Sequence, residues 1–231
     1  MIYYLQLSDL RKNAGKPRLH GNGFLQLDIR VHLDEDAKVY KDGRLHIWSR
    51  KLLPYRQTVY TGIHDHVFDF ESFILTGELI HRVFTPEYIS EIDDYTKAQI
   101  LNGDYLYNAQ AYNMYMATPR DREDTELVKM NNHLCYVTEG EIAEYHYSKD
   151  ERYIFEAFRF HETVAETYTA TLMFKTASYP CRPRILCKYG EEPDNKFSRY
   201  QVSEEILWKE IERLFQLHGF GINKDILKIN I

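Results

Sequence analysis

Two imidazoles stand two residues apart, His64 and His66, in the stretch Gly62-Ile63-His64-Asp65-His66-Val67-Phe68-Asp69-Phe70-Glu71-Ser72-Phe73-Ile74-Leu75-Thr76-Gly77-Glu78-Leu79. The carboxylate of Glu71 follows His66 by five residues. In an extended strand alternate side chains share a face, so the two rings would project together and lie close enough to bind one ion. On a helix the same spacing would send them apart. Imidazole nitrogens, with or without a carboxylate, suit Fe(II), Mn(II), Ni(II) or Zn(II) and leave positions open for water, dioxygen or a chelating substrate. The spacing therefore reads as part of a metal pocket on a β framework, and it does not name a substrate.

The elements that must carry such a pocket are strands. Leu25, Leu27, Ile29 and Val31 alternate with Gln26, Asp28 and Arg30, the pattern of a half-buried strand over 24–31. Lys41-Asp42-Gly43-Arg44 reads as a turn, after which Leu45-His46-Ile47-Trp48 resumes the alternation. Residues 73–84 read as the two strands of a hairpin hinged at Gly77. Thr85-Pro86-Glu87 resembles a helix start with proline at the first helical position, which predicts a short helix over 88–101. Residues 102–132 are polar and rich in Tyr and read as loop, with an exposed stretch from Thr118 to Asp124. Strands return over 134–137, 142–147, 153–161, 168–175 and 185–189. A last helix is predicted from Ser203 to Gly219, with Glu204 and Glu205 in its first turn and an apolar stripe of Ile206, Leu207, Ile211, Leu214 and Phe215. Residues 1–23 read as a lead-in. Many short strands separated by turns, with few helices, point to an antiparallel sandwich or barrel.

Composition narrows the partners. A chain of 231 residues and 27.6 kDa, 44% hydrophobic and 28% charged, is long enough for one well-cored globular domain and unlike a disordered or fibrous chain. A net charge of −6 and a pI near 5.9 argue against a phosphate-driven nucleic-acid binder. Cys135, Cys181 and Cys187 form neither a CxxC pair nor a disulfide framework, which fits reduced thiols in a cytoplasm. The first residues lack a basic, apolar leader and no apolar run reaches membrane-spanning length, so a soluble protein without a membrane partner is expected.

His64-Asp65-His66 followed by Glu71 reads H-x-H-x4-E, which resembles the first motif of the cupin superfamily. Asn22-Gly23-Phe24-Leu25-Gln26-Leu27, Leu45-His46-Ile47-Trp48, Leu53-Pro54, the His64 segment and Leu75-Thr76-Gly77 together make the chain similar to small cupins near the cysteine-dioxygenase-like branch. Phe158-Arg159-Phe160-His161-Glu162, ahead of Thr169-Ala170-Thr171-Leu172-Met173, falls where the second motif of that group would stand, without its usual Pro-x-Gly. The resemblance implies a mainly β, single-domain cupin-type jelly-roll β-barrel over 1–231, built from 20–85 and 134–190. A helical and loop insertion at 86–132 and a C-terminal helix at 203–219 would decorate it. The implied metal set is His64, His66 and His161 with Glu71. Five residues rather than six separate Glu71 from Gly77, which makes Ser72 the alternative inward residue.

On the same resemblance Asp65 and Asp69 would orient the imidazoles from behind. Arg159, on the strand face of His161, would bind an anionic substrate group, and Tyr60 with Trp48 would form an aromatic wall; Tyr60 and Arg159 are the candidate catalytic residues. His46, His81 and His146 read as structural, with His81 placed to line the pocket. The implied cofactor is one divalent transition metal ion, Fe(II) first, with Mn(II), Ni(II) or Zn(II) as alternatives. The implied function is that of a mononuclear non-haem, dioxygenase-like enzyme acting on a small molecule. Two alternatives stand beside it: a non-catalytic small-molecule binder or sensor, for which a homodimer is expected, and a metal-free sugar-nucleotide isomerase or epimerase with His64 as base.

Overall fold

The computed structural model describes residues 2–32, 40–55, 62–103, 108–119, 124–165, 168–193, 197–219 and 224–230. Strands dominate it. The first half carries β1 (Ile2–Gln6), β2 (Arg18–Leu19), β3 (Leu25–His32), β4 (Tyr40–Trp48), β5 (Phe68–Thr76), β6 (Glu78–Phe84), β7 (Glu87–Tyr88) and β8 (Ala109–Pro119). The second half carries β9 (Asp124–Thr138), β10 (Ala143–Ser148), β11 (Arg152–Phe155), β12 (Phe160–Val164), β13 (Thr169–Ser178), β14 (Arg184–Lys188), β15 (Phe197–Ser198) and β16 (Ile226–Asn230). The helices are α1 (Leu7–Asn13), α2 (Asp94–Leu101) and α3 (Glu204–His218). None of them is long and apolar enough to cross a membrane.

One antiparallel sheet runs β11-β5-β13-β4-β3-β1-β16, with β2 on β3. A second is formed by β10-β6-β12 and by β14-β8-β9-β15, with β7 on β9. Its two parts are joined by the segment at His64, which bridges His161 of β12 on one side and Ile185 of β14 on the other. The sheets face each other across a shared apolar cluster of Phe70, Ile74, Leu79, Val83, Tyr153, Phe155 and Met173.

Strand alternation gives the first sheet one fully apolar face. Leu25, Leu27, Ile29 and Val31 of β3 are at most 4% exposed and meet Leu45, Ile47, Leu172 and Phe174 from the neighbouring strands. Over this face lies α3, which buries Leu207, Ile211, Leu214 and Phe215 at helical spacing, each buried apolar side chain contributing roughly 1.5–3 kcal/mol. The opposite parity, Gln26, Arg44, His46, Trp48, Phe70, Ser72 and Met173, lines the space between the sheets.

Several elements differ from the sequence expectation, each for a physical reason. Gly43 is not in a turn but inside β4, opposite Ile29; a Cβ there would stand 2.9 Å from Phe174, so glycine makes room for that ring. β5 and β6 do meet at Gly77, with φ of +76°, but they are not a hairpin: β5 pairs with β11 and β13, β6 with β10 and β12, and Gly77 carries the chain from one sheet to the other.

Residues 153–161 are not one strand. The chain turns at Ala157 and Phe158, with the Ala157 N–H on Asp69 Oδ1 at 2.7 Å and the Phe158 N–H on the His66 carbonyl at 2.8 Å. The stretch expected as an insertion supplies β8 and β9. Ala111, Tyr112, Asn113, Met114 and Tyr115 are all buried, so β8 shows no alternation from which a strand could be read. Its helical parts are a 3-10 turn at Ile89–Glu91 and α2, capped by Asp93, whose carboxylate accepts from the Thr96 N–H at 3.0 Å, while Glu87–Tyr88 pairs with β9. The lead-in holds β1, which pairs along its length with β16 beyond α3.

Gly77→Ala places a methyl group against Thr169 and the Tyr168 backbone at a positive φ. A loss of about 2–3 kcal/mol is expected in urea unfolding; an unchanged midpoint would contradict the corner role of this residue.

Candidate metal centre

His64 sits where the two parts of the second sheet meet. Its N–H donates to the His161 carbonyl at 3.0 Å and its carbonyl accepts from the His161 N–H at 2.9 Å. On the other side the Asp65 N–H reaches the Arg184 carbonyl at 2.9 Å and the Leu186 N–H reaches the Ile63 carbonyl at 3.0 Å. An antiparallel bridge sets side chains of opposed residues on the same face. The pairing that closes the sheet therefore brings His64 and His161 together, and the two-residue period adds His66.

One nitrogen from each of His64, His66 and His161 lies within 4.8 Å of the other two, the spread of a site that one ion can span. Ring centroids are 4.6 Å apart for His64 and His161, 4.9 Å for His64 and His66, and 5.0 Å for His66 and His161. Local bonds choose the tautomers. His64 Nδ1 donates to the Gly62 carbonyl at 2.8 Å and His161 Nδ1 to the Arg159 carbonyl at 3.1 Å, leaving the Nε2 lone pairs of both free to ligate. Burial holds all three imidazoles below their ordinary pKa, and for His66 and His161 the facing imidazoles add to it. Neutral rings are the ligating form.

Asp65 and Asp69 act on the backbone rather than on the imidazoles. The Asp65 carboxylate is fully buried and receives Arg184 through Nε and Nη2, both at 2.7 Å, with the Arg184 backbone N–H also on it; the guanidinium lies over the Phe160 ring. Asp69 takes the Ala157 N–H and the Tyr179 hydroxyl, which fixes the turn leading to His161.

Glu71 is not brought to the histidines. It lies on the other face of β5, paired with Arg152 and at 3.9 Å from Lys41, whereas Ser72, one residue on, lines the cavity. Arg159 precedes β12 and lines neither chamber; its guanidinium packs over Phe155 at 5.5 Å. Tyr60 lies outside the described residues.

Two cavities border the cluster. An outer chamber of about 170 Å³ is lined by His20, Gln26, Arg44, Arg199, Phe68, Leu127 and Ile185 together with His64 and His66. An inner chamber of about 40 Å³ is bordered by all three histidines, His46, Ser72, His81 and Thr163. His20, Gln26, Arg44 and Arg199 were not singled out in the sequence. Arg44 is braced by Asp28, Nε to Oδ1 at 2.7 Å, and Asp28 also holds Arg18 at 2.7 Å. His20 accepts the Asn22 N–H on Nδ1 at 3.3 Å, so its Nε2 carries the hydrogen and serves as a donor, the opposite tautomer to His64 and His161. The signal for Gln26 and Arg44 was the polar parity of β3 and β4, which a two-sheet fold turns inward; His20 had none.

No protein-family model and no curated protein matches the sequence. Among solved structures, hydroquinone 1,2-dioxygenase from Sphingomonas sp. TTNP3 with 4-hydroxybenzoate bound is similar at 10% identity, over 75% of this chain and 73% of that chain, with a TM-score of 0.26. At that identity and score the likeness carries no argument.

Asp65→Ala leaves Arg184 facing a buried void in place of its partner. The Arg184 side chain is 27% exposed, so water takes up part of its charge and urea unfolding should register a loss of about 1–3 kcal/mol. A loss under about 1 kcal/mol would mean that the pair does not anchor the histidine segment.

Proposed function

We propose that this chain is a cupin-type jelly-roll protein that holds one divalent transition metal on His64, His66 and His161 and works as a mononuclear non-haem, dioxygenase-like enzyme on a small organic anion. The observation that carries the reading is the convergence of three imidazoles, two with Nδ1 already engaged by backbone carbonyls, at the joint of the second sheet. Three nitrogen donors with open positions beside them fit Fe(II), Ni(II) or Zn(II), with Fe(II) preferred for oxygen chemistry. When bound, such an ion supplies a Lewis acid and a coordination position for a small co-substrate.

The chain's own groups do the rest. Arg44, braced by Asp28, and Arg199 favour an anionic group in the outer chamber, taking the role that the sequence gave to Arg159. His20 presents a ring N–H as donor to a substrate oxygen. Phe68, Leu127 and Ile185 cover an apolar body and exclude water. A metal-free isomerase would need an acid on His64, but His64 Nδ1 is on the Gly62 carbonyl and Asp65 is engaged with Arg184. A non-catalytic binder would use the same chamber and differ only in lacking turnover.

Elemental analysis of natively purified protein should find about one transition metal per chain, and His66→Ala should lose it. A metal at 100 times its Kd adds about 2.7 kcal/mol, roughly 5–10 °C in Tm for a chain of this size. Chelation should remove that increment from the wild type and leave His66→Ala unmoved. Metal-free wild type with a Tm indifferent to chelator would defeat the proposal.

A further inference from the structure

We propose that the inner chamber is a binding site for a water-sized ligand that both donates and accepts hydrogen bonds, held between His81 Nε2 and Ser72 Oγ. Both side chains are almost fully buried, His81 at 2% and Ser72 at 1% exposure, and both line the chamber of about 40 Å³. Neither His81 Nε2 nor Ser72 Oγ meets a partner at good hydrogen-bond geometry among the described protein groups, although the Tyr153 hydroxyl lies near enough to Ser72 to interact with it. Leaving a buried polar atom so is costly, and in native proteins such atoms find a protein partner or an ordered water.

The ring of His81 is not free to turn away. Its Nδ1 is hydrogen-bonded to Thr163 Oγ1 at 3.0 Å, and Tyr153 and Phe155 pack against it with centroids at 4.9 and 5.3 Å. Nε2 is thereby committed to the chamber. The threonine hydroxyl can donate or accept, so Nε2 is a donor or an acceptor accordingly, and the serine hydroxyl is both. A ligand that satisfies the pair in either tautomer must have both capacities, which water and hydroxide have. The volume exceeds the roughly 10–15 Å³ that one water needs.

Position gives the ligand its use. Ser72 comes from β5 of the first sheet and His81 from β6 of the second, on the two sides of the Gly77 corner, so the bridge ties the sheets across the cavity. Thr163 lies two residues beyond His161 on β12, and the His81 and His161 ring centroids are 5.4 Å apart. A water held there is a protic neighbour of the three histidines, in a compartment distinct from the larger one that receives an organic molecule. The bridge requires no metal, so it can stand where the metal reading fails.

The test uses the full chain, chelated and metal-loaded. High-resolution crystal structures should show ordered density within hydrogen-bond distance of both His81 Nε2 and Ser72 Oγ in the two forms. Ser72→Ala supplies the second readout, through the sign of its effect. If Ser72 Oγ bonds a ligand, its removal breaks that bond and the urea midpoint of the chelated protein falls even in a Tyr153→Phe background, where no tyrosine hydroxyl can account for the loss. If Ser72 Oγ is an orphan, its removal relieves a penalty and the midpoint rises or stays. In 15N-histidine spectra the same variant should shift the His81 ring nitrogens and leave those of His64 in place. Density absent from the chamber, or a midpoint that does not fall, overturns the proposal.

Discussion

The structure depends on one antiparallel pairing: the reciprocal backbone bonds between His64 and His161, with Ile63 and Asp65 tied to β14 on the other flank. Without it the second sheet would be two pieces, β10-β6-β12 and β14-β8-β9-β15, each with an exposed inner edge. The same bonds bring residues 97 positions apart in sequence (161 − 64) to adjacent places on one face. Closure of the sheet and assembly of the imidazole cluster are thus one event, and the buried Asp65–Arg184 pair reinforces the seam from the side away from the cluster.

Setting six histidines, two arginines and a glutamine around an interior space is costly unless apolar burial is found elsewhere. The chain finds it on the far side of the first sheet, where β1, β3, β4 and β13 meet α3 in the largest apolar cluster. The inter-sheet space is then free to be polar, walled by Phe68, Phe70, Tyr153 and Phe155. This division also explains Glu71. It belongs to the parity of β5 that faces the α3 side, near Tyr3 and Phe174, and finds Arg152 there rather than the histidines.

What could be read in the sequence was whatever alternated or carried a turn residue with an unavoidable geometry. β3, β13, β14 and α3, the break at Gly77 and the histidine pair were all legible, because period and positive φ leave marks on residue type, whereas that the break at Gly77 passes between sheets and closes no hairpin was not. β8 was hidden because both its faces are covered, which erases the period-two signal, and Gly43 misled because a glycine admitting the Phe174 ring looks like a glycine in a turn. The break between β11 and β12 had no local signature; it is imposed by Asp69 and by the His66 carbonyl, both far away in sequence. The outer chamber was legible only in part, since Arg44 and Gln26 sit on a parity that a lone sheet would have given to solvent.

The central claim is that three particular imidazoles share one ion. X-ray absorption at the metal edge of the loaded protein addresses it directly, because imidazole rings give characteristic outer-shell scattering and nitrogen distances of about 2.0–2.1 Å. The account requires a fit with three imidazoles that falls to two in His161→Ala. A spectrum with no imidazole scattering, or one unaltered by that substitution, would contradict it.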